Sequence, residues 1–167
     1  MYENRTALEL KKGQLVVLPL YTTQKGFKEI PTKSGLNQWN AGGRARSPGE
    51  AYFPIPKTVH RQAPGFLPER NLSFQLTLPS GQITSAKVCQ SGSKALMTKP
   101  NYHLSRWLLL MIDVTISNYV DRFSQKIPYT YSDLQKLGFD SVVLVRSASS
   151  DFNIFPAYLG AFEDWLA

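Results

Sequence analysis

Apolar residues in this chain fall in short, separated runs, and the spacing within each run sets the element it predicts. Leu15-Val16-Val17-Leu18-Pro19-Leu20-Tyr21 is a continuous apolar stretch of strand length behind a Lys-Lys-Gly approach. Pro19 predicts an edge position or a strand end, because proline brings no N–H to a ladder. A polar connection then runs from Thr22 to about Gly49, longer than compact domains usually leave without a function. Residues 51–56 resume an extended apolar pattern, and residues 57–70 read as irregular, broken by Pro64-Gly65 and Pro68. Residues 72–78 and 82–90 form the clearest hairpin, turning at Pro79-Ser80-Gly81. In it Phe74, Leu76 and Leu78 alternate with Gln75 and Thr77. A second polar loop, Gln90-Ser91-Gly92-Ser93-Lys94, leads into an extended run over 95–98.

The later part of the chain switches period. Leu104, Trp107, Leu108 and Met111 repeat at the spacing of one helical face. Thr130-Tyr131-Ser132-Asp133 has the form of a capping box, with Leu134 and Leu137 as the apolar face and Gly138 as the stop. Residues 141–146 and 151–158 predict two more strands. About seven short strands with two short helices, and no strand–helix alternation, predict a mainly β (β-rich α+β) fold. Its form would be a barrel with helices at its ends.

Bulk properties narrow the class. A chain of 167 residues with 43% hydrophobic and 12% aromatic residues is long and apolar enough for one domain with its own core. The single cysteine, Cys89, excludes an internal disulfide framework and fits a reducing compartment. Two histidines far apart do not make a familiar zinc site. The start of the chain lacks a signal-peptide core, and the longest apolar runs (15–20 and 107–112) are too short for a bilayer, so no membrane partner and a cytoplasmic setting are expected. Residues 1–110 carry 15 Lys/Arg against 5 Asp/Glu, whereas residues 111–167 carry 4 against 7. The net charge of +7 is thus concentrated in the first two thirds, which points toward an anionic partner.

The chemistry of the long connection agrees. Residues 33–46 gather Lys33, Asn37, Gln38, Trp39, Asn40, the pair Gly42-Gly43, Arg44 and Arg46, with no acid among them. So many donors would be left unpaired in a core. Arg and Asn/Gln are the side chains that read guanine and adenine edges in pairs of hydrogen bonds. Arg44 and Arg46, one residue apart, share a side of an extended segment. Asn37, Gln38 and Asn40 either read adenine or form turns that shape the loop, and Trp39 either stacks in a groove or pins the arm. Gly42 and Gly43 permit a tight turn but are not followed by the Lys-Ser/Thr of a phosphate-binding loop.

Other reactive residues carry less. Cys89 reads as a small buried hydrophobe, His60 and His103 as surface or helix-start residues, and Trp107, Phe139, Val143 and Val145 as core. Glu9-Leu10-Lys11 looks like half of a magnesium nuclease site with no second acid to complete it. Asp113, Asp121, Asp133, Asp140 and Asp151 read as caps and turns. No catalytic residue, cofactor or metal is expected within this chain.

Several ordered segments resemble one family, the B3-like DNA-recognition domain of bacterial restriction endonucleases (EcoRII-, BfiI- and NgoAVII-like). These are Lys33-Ser34-Gly35-Leu36-Asn37 through Gly43-Arg44, Glu50-Ala51-Tyr52-Phe53-Pro54-Ile55-Pro56, and Leu78-Pro79-Ser80-Gly81. Ala86-Lys87-Val88-Cys89-Gln90, Lys94-Ala95-Leu96-Met97, Ser105-Arg106-Trp107-Leu108-Leu109 and Leu137-Gly138-Phe139-Asp140-Ser141-Val142 continue it, over about 15–160. The chain departs from the pattern at residues 38–42 and 113–127.

The resemblance implies a seven-stranded open pseudobarrel with two arms that grip the major groove of double-stranded DNA. The N-arm would be about residues 21–46 and the C-arm about 87–98. Asn37, Gln38, Trp39, Asn40, Arg44 and Arg46 would then be base-reading candidates of the first arm, and Gln90, Ser91, Ser93 and Lys94 of the second. Lys25, Lys28, Lys33 and Lys57 are candidates for phosphates, since lysine acts as a compact charge. The expectation is a sequence-specific module of a longer type II enzyme, with the nuclease domain elsewhere and the apolar Phe162, Trp165 and Leu166 leading to a linker. A complete small magnesium-dependent nuclease and a non-specific nucleic-acid-binding barrel are the alternatives.

Overall fold

A computed structural model describes residues 13–38, 51–100, 102–115, 127–148 and 150–167. Within them the chain order is β1 (Leu15–Pro19), β2 (Thr22–Gln24), β3 (Phe27–Glu29), β4 (Phe53–Pro54), α1 (Lys57–Gln62), β5 (Phe74–Thr77), β6 (Ile83–Cys89) and β7 (Ala95–Lys99). It continues with α2 (Tyr102–Thr115), α3 (Tyr131–Leu137), β8 (Phe139–Ala148), β9 (Asp151–Tyr158) and α4 (Ala161–Leu166).

Seven strands make one sheet in the order β1-β8-β9-β5-β6-β7-β4. Its pairs are antiparallel except β5 with β9, which run parallel. The two edge strands, β1 and β4, come into contact, so the sheet curls into a nearly closed barrel with one open seam. This is the mainly β, seven-stranded pseudobarrel that the sequence predicts. Pro19 ends β1, opposite Ser141, and β1 itself is an edge of the sheet, where a missing N–H breaks no ladder.

Residues that alternate in sequence alternate in the barrel. Phe74 and Leu76 of β5 face inward and Gln75 outward, and Thr84, Ala86 and Val88 of the neighbouring β6 continue the same inner face. β1 is buried along its whole length, because α1 and α4 cover the face that the barrel interior does not. Val16, Val17, Val142, Val143 and Leu144 form the centre of this core, joined by Phe53, Phe152 and Ile154. Trp107 is only half-buried and packs at the rim of that cluster.

Three local readings are corrected. Residues 57–62 form a helix, not an irregular passage; with Val59 as its single buried residue, six residues leave no periodicity to read. Residues 161–166 fold as a second unanticipated helix, with Trp165 buried and Glu163 and Asp164 in its first turn, where acids suit the helix dipole. So the barrel carries four helices among the described residues, and the apolar Phe162, Trp165 and Leu166 belong to a packed element. The long connection also holds a two-stranded hairpin, β2–β3, whose exposed polar residues show no alternation of hydrophobicity.

The capping prediction for α3 holds. The Thr130 N–H donates to Asp133 Oδ2 at 2.9 Å, and Gly138 closes the helix at φ +94° with its N–H on the Leu134 carbonyl at 3.0 Å. No heavy atom lies within 4 Å of a Cβ built on Gly138, so a methyl there meets only backbone strain. Gly138→Ala is therefore expected to lower unfolding free energy by about 1 kcal/mol in urea denaturation, through the left-handed conformation alone. A loss several times larger would mean that the site is also packed.

Candidate nucleic-acid interface

The second polar loop joins two strands of the barrel. The β6–β7 ladder ends in the pair Cys89–Ala95, so residues 90–94 are the whole connection. Gln90, Gly92 and Ser93 all have positive φ (+71°, +81° and +56°), which for the two non-glycine residues is a strained state held by its surroundings. The restraints are identifiable. Ser93 N–H donates to the Gln90 carbonyl at 3.0 Å, and Ile55 N–H donates to the Lys94 carbonyl at 2.6 Å. His60 Nε2, on α1, lies 2.9 Å from the Ser93 carbonyl; since that oxygen only accepts, Nε2 carries the proton. Ser91 and Lys94 are exposed and Gln90 and Ser93 half-exposed, so a fixed backbone presents all four predicted C-arm side chains. Lys57 is exposed one helical turn before His60, which brings this lysine to the same loop. Cys89 is buried beneath, its thiol donating to the Ala95 carbonyl at 3.6 Å, as a small core residue.

The first loop is described only at its roots. Trp39, Asn40, Arg44 and Arg46 lie outside the described residues, as do Gly42, Gly43, Glu9, Lys11 and Asp121. On the outgoing root Lys33 is exposed, while Leu36, Asn37 and Gln38 are buried. Asn37 is held on both sides of its amide. Its Nδ2 donates to the Pro31 and Tyr129 carbonyls (2.9 and 3.2 Å), and its Oδ1 accepts from Tyr129 N–H at 2.6 Å. Of the two roles open for Asn37, this geometry is the shaping one: it ties the arm's root to the segment before α3. Gly35 is needed for a different reason. Its carbonyl accepts from the Gln38 and Tyr52 N–H groups, and the Tyr52 ring lies so close that a Cβ would fall 2.3 Å from Cε2.

The two roots meet across the shortest ladder of the sheet. Phe53 pairs with Leu96 and Pro54 with Ala95, so the returning limb of the first loop and the returning limb of the second are hydrogen-bonded neighbours. They leave that ladder in opposite directions, at Tyr52 and at Lys94.

A cluster that the sequence does not advertise fixes the hairpin β2–β3. Lys28 Nζ lies 2.5 Å from Glu163 Oε1 of α4 and 3.7 Å from Asp140 Oδ2 of β8. It also sits over the rings of Tyr21 and Tyr131, at 4.8 and 5.6 Å from their centroids. Tyr21 donates to Glu163 and Tyr131 to Asp140, each at 2.7 Å. Asp140 is reached because a register shift between Phe139 and Ser141 interrupts the β8–β9 ladder, and such a bulge re-aims a side chain. The ammonium of Lys28, a predicted phosphate contact, is thus paired within the protein, whereas that of Lys25 is exposed at the hairpin tip. A carboxylate in a valine-rich strand is costly to bury without partners, so Asp140 was the residue from which this cluster could have been inferred.

Burial alone pushes the Glu163 carboxyl up, but hydrogen bonds from Lys28 and Tyr21 and the Lys28 charge outweigh it and hold it below its usual value. Lys28 follows the same logic: burial lowers it, and Glu163 and Asp140 carry it above the ordinary lysine value. Burial and the hydrogen bond to Glu163 raise Tyr21.

Two measurements check these assignments. Asn37→Ala strands the Tyr129 N–H and carbonyl, and is expected to cost about 1–3 kcal/mol in denaturant unfolding; a neutral result would mean those groups find water. The depressed Glu163 carboxyl contributes stability above its unfolded pKa, and that contribution disappears as pH falls through the folded one. The melting-temperature gap between wild type and Glu163→Gln is therefore expected to close on going from about pH 7 to about pH 3. A gap that does not change with pH removes the ion pair from the account.

Comparison with known proteins bears on these loops. No curated protein matches the chain. The family model of the NgoFVII C-terminal B3-like DNA-binding domain matches residues 14–145, from β1 into β8, and so takes in both polar loops and their shared ladder. The match covers most of the chain, and this protein belongs to the NgoFVII C-terminal B3-like DNA-binding domain family of restriction enzymes.

Proposed function

We propose that this domain recognises a specific short sequence of double-stranded DNA by placing its two arms in the major groove. It would serve as the target-recognition or effector part of a restriction endonuclease in the bacterial cytoplasm, with the nuclease domain elsewhere. The observation that carries the reading is the β4–β7 ladder, which joins the roots of both basic, acid-poor loops. From Tyr52 to Ile55, opposite Lys94, is three residues, a rise of about 10 Å, comparable with the ~12 Å width of the major groove. Arms that leave such a ladder in opposite directions suit opposite walls of one groove.

In this reading Arg44 and Arg46 take guanine edges by bidentate hydrogen bonds, and Asn40 reads adenine. Trp39 packs at the groove or at the arm's root. From the other side Gln90, Ser91, Ser93 and Lys94 reach bases from a backbone already held in its strained shape, so little freedom is lost on binding. Lys25, Lys33 and Lys57 meet phosphates, which fix register without reading sequence. Asn37 and Gln38 support the arm from within, and Lys28 orients it. Binding needs no cofactor.

Selection of bound duplexes from a randomised pool, at near-physiological salt and without magnesium, is expected to enrich one short motif. Retention without enrichment would leave a backbone binder whose affinity falls steeply with salt. On the enriched site Arg44→Ala is expected to cost about 1–3 kcal/mol and to relax one base position. Equal losses on every duplex would remove its reading role.

A further inference from the structure

The hairpin β2–β3 is too small to hold its own shape. Two strands of three residues each are marginal in water, and this pair lies outside the seven-stranded sheet. Its turn, Lys25-Gly26, has φ of +50° and +83°, the two positive angles of a tight I′-like hairpin. What fastens it is Lys28, held by Glu163 and Asp140 between two tyrosine rings.

That anchor has a directional consequence. Side chains alternate along a strand, so with Lys28 turned to the barrel its neighbour Phe27 turns away from it. Phe27 is 75% exposed, the most exposed of the large hydrophobic residues described. A lone exposed apolar residue is ordinary on a protein surface. This one stands beside a tight turn, next to an exposed lysine, on a hairpin locked to three separate elements. Glu29 shares its face only at the hairpin's root, so the tip combines one flat apolar ring with one cation. Duplex DNA offers the matching pair, apolar sugar edges and base steps beside phosphates.

We propose that β2–β3, at the start of the first arm, makes its own contact with DNA, apart from the loop that follows it. Phe27 lays its ring against the sugar edges or a base step of the duplex, Lys25 meets an adjacent phosphate, and the Lys28–Glu163 pair sets the approach of the hairpin. The proposal rests on the DNA-binding reading above and adds to it an apolar contact by Phe27, at the start of the first arm, and a positioning device.

The test is fluorescence anisotropy with the full chain, at about 0.15 M salt, on the selected duplex and on a scrambled one. Phe27→Ser is expected to weaken both roughly tenfold, with an unchanged melting temperature because the ring is exposed. Glu163→Gln separates positioning from simple charge. Removing an acid from a protein that binds a polyanion should tighten binding if only the overall field matters. Positioning requires the opposite, a weaker complex, and requires that loss to shrink when Phe27→Ser is already present. Unchanged affinity of Phe27→Ser on a duplex that the wild type binds overturns the contact while leaving DNA recognition intact. Tighter binding by Glu163→Gln overturns the positioning role. Failure of the wild type to bind any duplex overturns the DNA-binding reading, and the proposal falls with it.

Discussion

The open seam of the barrel fixes how the first polar loop is attached to the fold. The chain leaves the sheet at one edge, β1, and returns at the other, β4, so residues 20–52 bridge the seam itself. β4 has only two residues, and its pairing with β7 is the thinnest part of the sheet. A long basic excursion fastened by so short a strand would drag the seam open unless it were held elsewhere. Asn37 on Tyr129, Gly35 under Tyr52, and Lys28 on Glu163 and Asp140 are those restraints. Each acts near a root of the connection. The root is therefore steadied by hydrogen bonds and charge, together with Ile30 and Leu36, which join the hydrophobic core.

The β4–β7 ladder beside the seam brings together the roots of two loops distant in sequence. Residues 33–46 and 90–94 have no sequence signal that relates them, and their composition alone shows only that both are basic and rich in turn formers. It is the pairing of Phe53 with Leu96 and Pro54 with Ala95 that makes their roots neighbours. His60 reinforces this from α1, bonding the Ser93 carbonyl and carrying Lys57 with it. The C-arm is thereby tied to the element that follows the N-arm.

What could be read from the sequence follows from how much periodicity each element has. The strand of residues 141–146, the hairpin around Pro79-Ser80-Gly81 and the capped helix after Thr130 are long or distinctive enough to show their period or their caps. α1 buries Val59 alone, β4 is two residues, and β2–β3 exposes nearly everything, so no pattern of burial marks them. The candidate site was expected from chemistry, and its geometry was not legible. Composition pointed to Arg44, Arg46 and the Ser91–Lys94 loop, but nothing in it separated a reading amide from a supporting one. Asn37 differs from Asn40 in sequence by three positions, and only the hydrogen bonds to Tyr129 reveal its role. Lys28 differs from Lys25 in the same way: on a hairpin, which lysine faces the body is decided by strand alternation and by an acid 112 residues further on.

That distinction also accounts for the acidic final third of a chain whose partner is a polyanion. Asp133 accepts from Thr130, Asp140 from Tyr131, Glu163 from Tyr21, and Asp164 from Tyr158. Each of these carboxylates is hydrogen-bonded inside the fold, as a cap, a bulge residue or a helix start. Meanwhile Lys25, Lys33, Lys57 and Lys94 stay exposed along the loops and their roots. A carboxylate held by its own internal donors is not free to swing onto the arms and compete with phosphate for their cations. The acids therefore hold the fold together where the first loop is anchored, and the exposed lysines stand along the loops and their roots. Lys28 joins the two sets, at a place where the connection between β1 and β4 is fastened to the C-terminal helix.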